Sequence, residues 1–123
     1  MNKKRLLLAE DDELLAALLN FRLEKDGYEV QLCRDGREVK EHLNQQMPDI
    51  IVSDIMMPYF SGMELIDYVR NGLKSTIPII IISSAGNEEN VLGAFELGAN
   101  DFISKPISPS ELIARLNRQL YKT

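Results

Sequence analysis

Two runs, Ile50-Ile51-Val52 and Ile79-Ile80-Ile81-Ile82, are apolar without any alternation, the pattern of strands covered on both faces. It argues against a sandwich or an antiparallel sheet with one face in water. The runs read as central strands of a parallel sheet, spanning residues 49–53 and 78–83, with further strand-length runs at 5–9, 28–33 and 101–104. Helix-like stretches separate them all. Repeated strand, helix, strand units with short connections give an α/β fold: a doubly wound parallel sheet of five strands with helices on both faces and right-handed crossovers.

The helix signals agree with this alternation. The first helix carries Leu15, Leu18 and Leu19 on one face and stops at Gly27, which suits a left-handed cap. Asp35 with Glu38, Ser61 with Glu64, and Ser108 with Glu111 have capping-box spacing, and Pro109 takes a first-turn position. Asn87 can cap a helix that carries Val91, Leu92 and Phe95 and ends at Gly98, and the last helix presents Leu112, Ile113, Leu116 and Leu120.

With 123 residues the chain fits one domain, covering residues 1–123, and a predicted helix runs almost to Thr123, leaving no room for an output domain inside it. Net charge is -5 and the Lys and Arg residues form no basic stripe, so direct nucleic-acid binding is not expected. The apolar runs fall far short of the roughly 20 residues that cross a bilayer. Asn2-Lys3-Lys4-Arg5 leads into a strand-length run and not a secretion signal, so the chain reads as cytoplasmic, with no membrane partner. Cys33 is the single cysteine and falls in a predicted strand, where it reads as a buried small hydrophobe.

Chemistry gathers where the strands end. The first is followed by Glu10-Asp11-Asp12, the third by Asp54, the fourth by Ser83-Ser84 and the fifth by Lys105-Pro106. In an open parallel sheet these carboxyl ends border the crevice where ligands bind. Each residue alone has a plainer reading: an acid after a strand caps a helix, a serine bonds local backbone, a lysine is a solvated charge. Their co-occurrence at matched strand ends favours a site. Grouped carboxylates supply hard oxygens for Mg²⁺, and a carboxylate kept ionised by that cation can accept a phosphoryl group as an acyl phosphate. A lysine ammonium and a serine hydroxyl supply the charge stabilisation that phosphoryl transfer needs.

The series Leu8-Ala9-Glu10-Asp11-Asp12, Ser53-Asp54-Ile55-Met56-Met57-Pro58 with Ser61-Gly62, Ser84-Ala85, Gly98-Ala99 and Lys105-Pro106 resembles the receiver domain of two-component response regulators, over essentially the whole chain. The resemblance implies a flavodoxin-like fold with strand order 2-1-3-4-5. It makes Asp54 the phosphoacceptor and Glu10 and Asp11 the acidic pair that holds Mg²⁺ with Asp54 and the Met56 backbone carbonyl. Ser84 is then the switch hydroxyl, Lys105 the phosphate-pairing lysine, and Pro106 the residue of a cis peptide. Phe102 stands where many members carry a switch tyrosine and offers no hydroxyl. Met56 and Gly86, two residues after the phosphoacceptor and the switch hydroxyl, cannot orient a water, which implies a long-lived acyl phosphate. Tyr59 and Phe60 lie beside the site, either as contact anchors for a phosphodonor or as cover for the loop backbone.

The same resemblance implies a signalling module and not an enzyme. Its donor is a histidine kinase or histidine phosphotransfer protein. Its output is a downstream domain or protein that reads the surface of the fourth helix, fifth strand and fifth helix, where a phosphorylation-dependent dimer can also form. The alternative is a degenerate receiver acting as a phosphorylation-independent interaction module, against which the intact Asp54, acid pair, Ser84 and Lys105 stand. An aspartyl phosphatase needs a second acid two residues after its nucleophile, and Met56 occupies that place. A flavin-binding domain of similar topology is disfavoured because acids, not a phosphate cradle, follow the first strand.

Overall fold

The computed structural model describes residues 3–84 and 88–121, the Glu88 side chain excepted. Five strands, β1 (Arg5–Ala9), β2 (Glu29–Cys33), β3 (Ile50–Asp54), β4 (Ile79–Ser83) and β5 (Asp101–Ser104), pair in parallel in the order β2-β1-β3-β4-β5. Between them run α1 (Glu13–Lys25), α2 (Gly36–Gln45), α3 (Gly62–Asp67) and α4 (Glu88–Leu97), and α5 (Pro109–Leu120) follows β5. The expected doubly wound, flavodoxin-like sheet with order 2-1-3-4-5 is therefore present. A π-helical turn, Tyr68–Gly72, extends α3 and has no counterpart in the sequence reading.

The unbroken apolar runs do what their pattern requires. Every residue of β3 and β4 is buried, and successive side chains serve opposite layers. Ile51, Ile79 and Ile81 pack with Val39, Leu43, Leu65, Ile66 and Ala94 from α2, α3 and α4. Ile50, Val52, Ile80 and Ile82 pack with Leu19, Leu23, Leu112 and Leu116 from α1 and α5. Buried Cys33 ends β2 as expected of a small hydrophobe.

The caps set the helix starts. Ser61 and Glu64 form the full reciprocal box, and Ser108 caps α5 with Pro109 in its first turn. Asp35 caps α2, but the Glu38 carboxylate reaches one residue further back, to Arg34 N at 2.8 Å. Gly27, with φ 97°, follows α1 as its left-handed stop. The cap expected at Asn87 lies outside the described residues. Two helix faces differ from expectation. In α1 the buried side chains are Ala16, Leu19 and Leu23, while Leu18 is exposed, as are Leu14 and Phe21. In α4 Ala94 is buried, whereas Leu92 and Phe95 face solvent. Both helices have apolar residues around most of their circumference, so spacing alone does not select the buried stripe. Among the described residues no helix is long and apolar enough to cross a membrane.

Candidate functional site

Strand register brings the singled-out residues together. Ala9 pairs with Ser53, so Glu10 and Asp54 follow at neighbouring strand ends, and Ser83 pairs with Ser104, directly before Lys105. Backbone bonds continue the sheet into the site, with Glu10 N donating to Cys33 O at 3.0 Å and Lys105 N to Ser83 O at 2.8 Å. Glu10 and Asp54 are buried and Asp11 is exposed, and carboxylate oxygens of all three lie within 4.8 Å of one another.

Lys105 Nζ sits between two of these acids, 2.7 Å from Asp54 Oδ2 and 3.1 Å from Glu10 Oε1. Burial works against the ammonium, but the contacts and charges of Asp54 and Glu10 outweigh it and hold the lysine pKa above its ordinary value. Burial also raises the Glu10 carboxyl above the usual carboxylate range, a shift that the Asp12 N–H and Lys105 only partly reverse. Glu10 Oε2 accepts from Asp12 N at 3.0 Å. Oε1 has the lysine's charge nearby, yet among the described residues no donor meets it with hydrogen-bond geometry. A buried carboxylate oxygen left this way is a ready cation ligand, and with Asp11 and Asp54 it forms the hard oxygen set that Mg²⁺ prefers. Asp12 is held apart from the group as the α1 cap, accepting from Leu14 N and Leu15 N.

The loop after β3 is folded tightly around the Asp54 carboxylate. Met56 N donates to Asp54 Oδ1 at 3.0 Å, which sets the residue 56 backbone beside it, while the Met56 side chain is exposed. Gly62 N closes the loop onto Ile55 O at 2.9 Å. A Cβ at Gly62 would lie 2.7 Å from Ile55 Cα and 2.8 Å from Asp54 O, so only glycine permits this approach. The two loop aromatics differ in exposure. Phe60 is buried against Gly36 and makes an edge contact with Tyr68, so it is no exposed anchor. Tyr59 is exposed, with the Arg37 guanidinium over its ring.

The remaining expected residues lie on or just after β4 and β5. Ser84 follows β4 and is exposed, the Lys105-Pro106 peptide is cis, and Phe102 is partly buried against the core beneath α4. Gly86 lies outside the described residues. Sequence reasoning missed Arg70, which donates to the carbonyls of Ser75, Ile77 and Gly98 and to Asn100 Oδ1. Its partners are three backbone carbonyls and one side-chain oxygen that the fold brings around it, so no spacing signals it.

The family model of the response regulator receiver domain matches residues 6–117. Among solved structures, a putative response regulator from Chloroflexus aurantiacus J-10-fl is 32% identical, covers 98% of this chain and 100% of its own, and superposes with a TM-score of 0.91. The receiver domain of Francisella response regulator 1452 is also 32% identical, over 95% of this chain and 96% of its own, with a TM-score of 0.88. The chemotaxis response regulator CheY4 of Vibrio cholerae is 28% identical over 97% of this chain and 100% of its own, with a TM-score of 0.89.

Proposed function

The chain belongs to the response regulator receiver domain family, and from that premise we propose that it is a phosphorylation-controlled signalling domain whose acceptor is Asp54. The observation that carries the reading is the convergence of the Glu10, Asp11 and Asp54 carboxylates with Lys105 Nζ set against two of them. Residues 1–123 act as one receiver domain, in the cytoplasm. The donor is a phosphohistidine on a kinase or phosphotransfer protein. An Asp54 oxygen forms the new O–P bond as the donor N–P bond breaks, and the bonding pair returns to the imidazole nitrogen.

Glu10, Asp11, Asp54 and the Met56 carbonyl would hold Mg²⁺. When bound, the cation neutralises charge on the incoming phosphoryl group. Lys105 pairs with Asp54 Oδ2, and once the carboxylate is phosphorylated the same ammonium can pair with a phosphoryl oxygen. The Ser84 hydroxyl is the second donor, and the new charge draws it toward the site. Its movement biases the packing of Phe102 and changes the face of α4, β5 and α5 that an output domain, a partner protein or a second copy reads. The domain acts by changing shape and not by turning over a substrate.

The test is intact-mass measurement after incubation with Mg²⁺ and acetyl phosphate, for wild type and Asp54→Ala. One added phosphoryl group on wild type and none on the variant is expected. No addition to wild type refutes phosphoacceptance and favours a phosphorylation-independent interaction module.

A further inference from the structure

The loop between β3 and α3 is clamped to the start of α2 through Pro58, Tyr59 and Phe60 in succession. Pro58 O accepts from Gly36 N at 3.2 Å, and Phe60 lies so close to Gly36 that a Cβ there would overlap it. Between them, the Arg37 guanidinium carbon stands 4.0 Å from the centre of the Tyr59 ring. Tyr59 has φ 69°, a left-handed backbone that glycine adopts freely and a bulky residue adopts only where its surroundings over-determine it. Yet Tyr59 is 71% exposed, so no core contact explains why a tyrosine is held there. The Arg37 stack is the contact that covers it.

We infer that Arg37 is a positioning residue for the phosphorylation site, acting through Tyr59. The guanidinium offsets the left-handed strain at Tyr59 and thereby fixes the loop, keeping the Met56 backbone against Asp54 Oδ1. The consequence for Mg²⁺ rests on the proposed function, because it needs the Met56 carbonyl as a ligand. The consequence for the loop does not.

The test is a double-mutant cycle of Arg37→Ala and Tyr59→Gly. Arg37 is exposed in the first turn of α2, and Asp35 still accepts the backbone N–H groups of residues 37 and 38 in the variant, so the fold is expected to survive. Tyr59→Gly removes ring and strain together and leaves Arg37 only its 3.3 Å pairing with the Asp35 carboxylate. With Tyr59 present, Arg37→Ala is expected to weaken Mg²⁺ binding by titration calorimetry about two- to fivefold. Hydrogen exchange of the Met56 amide in metal-free protein is expected to quicken by a similar factor. In the Tyr59→Gly background Arg37→Ala is expected to change neither. No change with Tyr59 present overturns the inference. So does an equal loss in both backgrounds, which would mean that Arg37 acts through its charge or its Asp35 pairing and not through Tyr59. A wild type that binds no Mg²⁺ refutes the functional reading, and the Met56 exchange rates then decide the positioning role.

Discussion

Glu10 is buried at the end of β1, and among the described residues no donor meets Oε1 with hydrogen-bond geometry although Lys105 Nζ stands 3.1 Å away, an arrangement that would suit a cation ligand and costs the metal-free fold. Glu10→Gln keeps the shape and removes the charge, while Lys105 keeps Asp54 as its partner at 2.7 Å. The variant is expected to melt at a higher Tm than wild type in metal-free buffer and to bind Mg²⁺ at least about tenfold more weakly. A lower Tm would mean that the Lys105 attraction outweighs the burial of the carboxylate. That Asp54, Glu10, Asp11 and Lys105 come together was readable because strand ends can be located in sequence, and the carboxyl ends of parallel strands share one edge of the sheet. The fate of Phe60 was not readable, because it depends on the absence of a side chain at Gly36, in a different element.

At the scale of elements, order and type were legible, since period and caps are local properties. The buried face of α1 was not, because Leu14, Leu18 and Phe21 are as apolar as the residues it buries. The π-helical turn after α3 was equally hidden, and it carries the side chain that joins the neighbouring elements. Arg70 bonds to Ser75 O, to Ile77 O and twice to Gly98 O, while Asn100 Oδ1 links it to the start of β4 through Ile79 N. Burial lowers its pKa, and the carbonyls compensate the desolvated cation in place of a carboxylate. Arg70→Met keeps much of the volume but removes these donors. A loss of about 2–4 kcal/mol is expected in urea unfolding, with Arg70→Lys falling between wild type and Met because one ammonium cannot span carbonyls on both sides. A loss below about 0.5 kcal/mol for Arg70→Met would show that water replaces the guanidinium without cost.

For the whole molecule, two buried groups in different layers make stability depend on pH on the alkaline side. Burial pushes the Cys33 thiol from 9.0 up to about 12. Burial, with the nearby Tyr121 and Asp26, pushes the Tyr28 hydroxyl from 10.0 up to about 12. In each case the folded protein keeps its proton after the unfolded chain has lost it. The unfolded state therefore binds fewer protons, and stability falls as pH rises. The fall begins near pH 9 through Cys33 and steepens near pH 10 as Tyr28 joins, both windows closing near pH 12, and Lys105, held above its ordinary value by Asp54 and Glu10, adds to the loss in the upper part of that range. Inside its window each group contributes a slope of about 1.4 kcal/mol per pH unit. Cys33→Ala leaves a small cavity and is expected to be less stable than wild type at pH 7, yet to lose less stability between pH 9 and 10, where the thiol titrates alone. Tyr28→Phe also loses the 3.4 Å bond to Asn117 and should match the wild-type slope below pH 10 and run flatter above it. Urea unfolding at a series of pH values separates the two windows. Parallel curves for wild type and both variants would mean that neither group holds its proton in the folded core.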